Sequence, residues 1–371
     1  MIMIRSMLKR LFFIAMVLIS VSIGLLPNLS LVLEKASWQS LSYLGFEAQT
    51  GQPLPKIVRT KKELIHYVNA SIRDLKTEFS IPIEQYEEDM IPSKLNELEK
   101  YFISRIHFSE PEKKNGQLLL PVRVDYNYSG LLLMKKQKKT SQRLDKDMLA
   151  FEKEVDTLLQ KAEGKGEYEK ILLFHDEIIK NTKKDTYFSE AYGVFMKKTG
   201  DDEGYAEAMQ LLLTLSGIEN RVVWSEVNRD GVHLFNKVKM NGEWYNVDVS
   251  YDDPMLRETD FISHQYLLVT DVFLGNVLRW EAARYPHAMS ENSYYTINKL
   301  TVDNQSGLEK RVKQAMREGK TQIALQINNY SEEKYDLTFL EKSRDSSTYR
   351  VSIAPSHQEG KLKGTKLICA L

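Results

Sequence analysis

The stretch GDDEGYAEAMQLLLTLSGI, Gly200 to Ile218, puts three acidic residues between two glycines at the head of an amphipathic segment. Nucleophiles are often held at such a helix start, because its free N–H groups and dipole favour an anion by about 0.3–1 kcal/mol. The anion suited to acyl transfer there is a thiolate. No cysteine is near: the single one, Cys369, lies in KLICAL, where a small buried residue in a final strand is the expected role. Carboxylates at a helix start can cap it, or serve as general base or covalent nucleophile. The adjacent His175 and Asp176 fall on a helical stretch, and a packed or surface pair is expected there rather than a proton relay.

The elements that would position these residues are legible around them. Helices are expected over 147–162 and 167–181, and a buried helix from the acidic turn to Gly217. Strands follow over 220–227, 233–240 and 243–253, with hairpin signals at Arg229-Asp230-Gly231 and Asn241-Gly242. Trp224, Trp244, Tyr245 and Tyr251 fall on these strands as core fillers, with some free to line a cleft. Asp252-Asp253-Pro254 reads as a strand end and turn. Upstream, a helix over 61–73, a strand over 77–83, a helix near 92–106 and a strand over 117–128 make a small α/β unit. Residues 316–327, MREGKTQIALQI, align without gaps to 72–83, IRDLKTEFSIPI, and follow a helix expected over 306–318. A second copy of the helix–strand module is expected there. The basic run MKKQKKTSQR (134–143) reads as a solvated loop that could also touch anionic lipid or wall polymer.

Several ordered motifs carry a family resemblance: Gly-x-x-Glu-Gly-Tyr-Ala from Gly200, Leu-x-x-x-Gly-Ile from Leu213, His-x-x-Asn-x-Val from His233, Gly-x-Trp-Tyr-x-Val-Asp from Gly242, then Asp252-Asp253-Pro254. With HDEIIKNT (175–182) and FISHQYLLVTD (261–271), this set resembles the transglutaminase-like (papain-like) superfamily, in its bacterial extracellular branch, over about 165–298. The resemblance implies an α+β domain of helices on an antiparallel sheet. It implies a nucleophile position at Asp202, a base at His233 and an orienting carboxylate at Asp248. The family's cysteine is replaced by Asp202, and Phe235 stands where the family usually has Trp. Glu203, Tyr205, Phe235 and Trp244 are expected to line the cleft.

A carboxylate at position 202 keeps the anion that the helix start favours and discards the sulfur. Asp202 is expected as the N-cap, and two flanking carboxylates would favour a protonated His233 with no free base. A non-catalytic binding or scaffold protein is therefore expected. The alternatives are a peptidase or glycan-directed hydrolase using Asp202 or Glu203, ligand recognition in the old cleft, or a regulatory partner of an active homologue. No cofactor is expected, and nothing in the spacing calls for a metal on Asp202, His233 and Asp248.

Zero formal net charge over 371 residues gives no sign of a nucleic-acid partner. Arg5, Lys9 and Arg10 precede 23 uncharged residues, Leu11 to Leu33. That pattern reads as an uncleaved signal-anchor with the remainder outside the cell membrane, a cleaved signal and a secreted chain being the alternative. No cysteine stands at the end of the run, so a lipid anchor is not expected. The expected organisation is an anchor over 1–33, a tether over 34–58, a small α/β module over 59–133 and a basic linker over 134–146. The central transglutaminase-like domain then spans 147–298 and a second small module 299–371. Partners would be the membrane, and a protein or a cell-wall peptide or glycan.

Overall fold

The computed structural model describes residues 53–93, 95–140, 145–227, 231–253, 262–320, 323–331, 333–336 and 364–369. The apolar run 11–33, the tether up to residue 52 and the first hairpin turn, 228–230, lie outside these residues. Among the described residues no helix is long and apolar enough to cross a membrane.

Thr60 starts helix α1 (Lys61–Arg73). Its hydroxyl accepts from the Glu63 N–H while the Glu63 carboxylate accepts from the Thr60 N–H, a reciprocal box that fixes where a helix begins. Leu64, Val68 and Ile72 are buried on one face. Strand β1 (Glu78–Ile83), β2 (Ile103–Phe108) and the short β3 (Glu112–Lys114) all pair antiparallel with β4 (Gln117–Tyr126). The helix expected near 92–106 is absent. A single tight turn occupies Leu95–Glu97, Phe102 takes a left-handed φ of 59°, and the chain then runs extended as β2 along β4. Ladder hydrogen bonds to β4 override local helix propensity.

Helix α2 (Tyr128–Lys136) is capped by Asn127 and carries the start of the basic run, so that run is not all loop. Lys135 pairs with Glu152 at 2.5 Å and Lys136 with Asp156 at 2.8 Å, both on α3 (Lys146–Lys161). Helix α4 (Glu167–Asn181) follows. Strand β5 (Lys183–Lys184) pairs in parallel with β6 (Thr199–Gly200), after a π-helical turn at Gly193–Lys197. Then comes α5 (Asp202–Leu215), in which every residue from Gly204 to Leu213 is buried.

An antiparallel sheet of order β10-β9-β8-β7 packs on α5: β7 (Asn220–Val227), β8 (Gly231–Met240), β9 (Glu243–Val247) and β10 (Leu267–Val269). The β8–β9 turn has φ of 53° at Asn241 and 85° at Gly242, the pair of positive angles that an Asn-Gly hairpin turn requires. Alternation splits the sheet's faces. Leu234 and Val222 join Ala206 of α5, whereas Phe235 and Val223 join Val269, Leu274, Leu278 and Tyr285 on the other face. Strand β9 ends at Val247, short of the expected 253, because the Asp248 carboxylate caps the short helix α6 (Val249–Asp252) by accepting from the Tyr251 N–H at 3.0 Å. Helices α7 (Asp271–Leu274) and α8 (Tyr294–Ile297) follow.

Beyond them β11 (Thr301–Val302), β12 (Ala324–Tyr330) and β13 (Gly364–Cys369) form a three-stranded sheet, which shares its own small core with α9 (Gln305–Arg317). Both stretches of the internal match are helix then strand. Their sheets differ: β1 lies at an edge against β4, whereas β12 lies between β11 and β13. A single buried cluster runs from Val58 to Leu268, so α1 and its sheet share one core with α5.

Candidate active site

Helix α5 begins beside the end of β6, and its start is held from two sides. The Asp201 carboxylate, not that of Asp202, is the cap: it accepts from the Gly204 N–H at 2.9 Å and from the Ser189 hydroxyl. The sequence offers two adjacent aspartates, and the first has the extended backbone that a cap needs. Gly204 is required by close approach, since a Cβ there would lie 2.7 Å from the Phe188 carbonyl oxygen.

Asp202, freed from capping, reaches across to β8. Its Oδ2 accepts from the Leu234 N–H at 2.8 Å and lies 3.4 Å from His233 Nδ1. The opposite ring nitrogen, Nε2, lies 2.6 Å from Asp248 Oδ2. Side-chain exposure is 7% for His233, 1% for Asp248 and 25% for Asp202, so Asp202 is the most exposed of the three. Burial opposes the imidazolium, but the Asp248 and Asp202 carboxylates outweigh it and raise the His233 pKa above its ordinary value. Burial also raises that of Asp202, against the pull of His233 and the Leu234 N–H.

Tyr251 covers the imidazole, with ring centroids 4.2 Å apart. Burial, with Asp248 and Asp202 nearby, pushes its phenol up to about 12, so it stays neutral. Lys184 donates to the Ser250 carbonyl at 3.0 Å and stands 5.8 Å from the Tyr251 ring. Lys184 was marked by neither periodicity nor motif.

The expected cleft residues do not gather here. Glu203 pairs with Lys100, outside the central domain. Tyr205 is fully buried and its hydroxyl donates to the Asp253 carboxylate. Phe235 is buried edge-on against Trp280, 5.3 Å away, in the core on the sheet face opposite α5. Trp244 pairs across from Lys239 and lies under Lys239 and Arg221. That position is six residues along β8 from His233, about 20 Å at roughly 3.3 Å per residue.

A second cluster lies behind α6. His175 is fully buried, with Nδ1 3.0 Å from Asp176 Oδ1 and Nε2 3.2 Å from Asp252 Oδ2. His264 Nε2 is 2.8 Å from the same Asp176 oxygen. Burial opposes charge on His175, but the two carboxylates raise it to about 9, and the two imidazoles hold Asp176 well below the usual carboxylate range. Asp252 is therefore a buried acceptor in a helix, not the expected strand end. The pairing of His175 with Asp176 was legible. Asp252 and His264, 77 and 88 residues from their partners, were not.

No significant match was found among curated proteins. Among solved structures, a TGase aligns at 15% identity with a TM-score of 0.27, over 48% of this chain and 53% of its own. A candidate cysteine protease from Cytophaga hutchinsonii aligns at 14% identity with a TM-score of 0.24, over 40% of this chain and 65% of its own. Calcium-bound LapG of Legionella pneumophila aligns at 14% identity with a TM-score of 0.26, over 48% of this chain and 98% of its own. The chain thus spans about half the length of the TGase. A family model for the transglutaminase-like superfamily matches residues 150–249, from α3 through α5 and the β7–β9 sheet to Asp248 and Val249. The chain carries a domain of the transglutaminase-like superfamily.

Proposed function

We propose that this chain is a cell-surface binding or scaffold protein built on a transglutaminase-like domain and inert in acyl transfer. In this reading residues 11–33 anchor it in the membrane, the two small α/β units flank the domain outside, and a protein or a wall peptide or glycan is the ligand. The observation that carries the reading is the double pairing of His233. A general base needs a lone pair on the nitrogen that faces the nucleophile, and here that nitrogen faces a carboxylate at 3.4 Å. Asp202 is the group standing where the resemblance puts the attacking atom.

The test compares wild type with Asp202→Ala and Asp202→Cys in cells and as purified full chains. The scaffold reading expects Asp202→Ala to retain cellular function and partner capture. Loss of cellular function in a folded, partner-binding Asp202→Ala protein would overturn it. Gain of amidase or transglutaminase activity in Asp202→Cys would mark a cleft still shaped for acyl transfer.

A second reading, a hydrolase with Asp202 as general base, draws on its raised pKa and its 25% exposure. It expects Asp202→Asn to reduce hydrolysis of peptidoglycan fragments or peptides by about 10²–10⁴-fold, while the scaffold reading expects no turnover to lose.

A further inference from the structure

We propose that His175, Asp176 and His264 form a binding site for a divalent transition metal of the zinc class, which braces the helix carrying the carboxylate of the His233 cluster. The donor atoms of the three residues all lie within 4.8 Å of one another. His175 Nδ1 and His264 Nε2 stand 3.0 and 2.8 Å from Asp176 Oδ1. Ligands around a tetrahedral ion with bonds near 2.1 Å sit about 3.4 Å apart. An ion there would take the place of the protons now shared between Asp176 Oδ1 and the two imidazoles, so binding should tighten as pH rises.

The surroundings orient these donors as metal ligands are oriented. His175 turns its distal nitrogen to Asp252 Oδ2 at 3.2 Å, the carboxylate–histidine arrangement that fixes which nitrogen faces a metal. Asp252 is itself fixed, accepting from Ser263 Oγ at 2.6 Å, the Gln265 N–H at 2.8 Å and the Tyr266 N–H at 3.0 Å. The His264 ring lies stacked on Tyr294 with centroids 4.0 Å apart and planes 9° from parallel. Side-chain exposure is 0% for His175, 12% for His264 and 22% for Asp176, so solvent reaches the carboxylate and water is the fourth ligand we assign.

Two imidazoles and one carboxylate suit zinc and its first-row neighbours, whereas calcium and magnesium take oxygen shells. The site joins α4, which supplies His175 and Asp176, to the segment that supplies His264. Through Asp252 it also bears on α6, whose capping residue is Asp248. The proposal does not depend on whether Asp202 is catalytic.

The test uses the untagged full chain in a non-chelating detergent, stripped with a chelator and titrated with zinc sulfate. One equivalent should bind in the micromolar range or tighter and raise Tm, and millimolar calcium should not displace it. His264→Ala and the near-isosteric Asp176→Asn should each weaken binding about tenfold or more, while His107→Ala, at an exposed histidine of β2, should leave it unchanged. Failure of wild type to bind zinc at micromolar concentration overturns the proposal. So does binding that survives both ligand substitutions, or that is lost in His107→Ala instead. Asp176→Asn keeps the test decisive if His264→Ala does not fold.

Discussion

With Asp248 2.6 Å from Nε2 and Asp202 3.4 Å from Nδ1, His233 has an acid at each nitrogen, and its proton is bound more tightly than in an unfolded chain. A raised folded-state pKa gives a definite sign. The cluster's contribution to stability is complete below the ordinary histidine value of 6.5 and is lost as pH rises through the higher folded value. Stability measured by denaturant unfolding from pH 6 upward should fall through that window. Asp248→Asn should make this fall shallower, leaving the part that His175, raised to about 9, contributes over the same window. It should also cost on the order of 3 kcal/mol near pH 6, because it leaves a buried imidazolium with a neutral neighbour. An equally steep pH dependence in Asp248→Asn would assign the fall to other groups.

At the scale of elements, the start of α5 separates two adjacent aspartates by role. Asp201→Ala removes the cap and should cost about 1 kcal/mol, read as a lower denaturation midpoint. Asp202→Ala should leave the cap in place. Gly204→Ala places a methyl group 2.7 Å from a backbone oxygen that cannot swing aside, and a cost of about 1–3 kcal/mol is expected. The sequence marked this helix and its neighbours closely: α4 begins and ends at the expected residues, β7 does too, and the Asn241-Gly242 turn has the expected hairpin angles. It misplaced the cap because Gly-Asp-Asp offers two capping side chains and only the backbone angle chooses. It misread 92–106 because pairing of β2 with β4, made by residues nearly twenty positions later, decides that segment. His233 and Asp248 were legible from motif spacing within one hairpin. The His175 cluster was not, because its four residues come from three separate segments whose meeting depends on the whole fold.

Over the whole molecule, Glu207 ties the N-terminal sheet unit to the central helix. Fully buried, it accepts from Asn127 Nδ2 at 2.9 Å, Ser129 Oγ at 2.7 Å and the Ala191 N–H at 3.2 Å. Two further links join the same parts: Gln210 donates to the Lys100 carbonyl, and Arg284 donates to the Asn96 and Glu97 carbonyls. With one continuous core from Val58 to Leu268, the N-terminal unit should unfold together with the domain in a single transition. Glu207→Ala strands three buried donors and should cost about 3 kcal/mol or more. Amide exchange should then rise across residues 53–136 as well as around α5. A stable first unit that keeps its protection in Glu207→Ala would show that the two parts fold independently.

The protonation state of His233 in the full chain at pH 7 bears most directly on the account. Ring nitrogen chemical shifts, assigned by comparison with His233→Ala, should show both Nδ1 and Nε2 carrying protons, as an imidazolium between two carboxylates requires. A neutral ring with a bare Nδ1 facing Asp202 would contradict the inert cluster and restore His233 as a base.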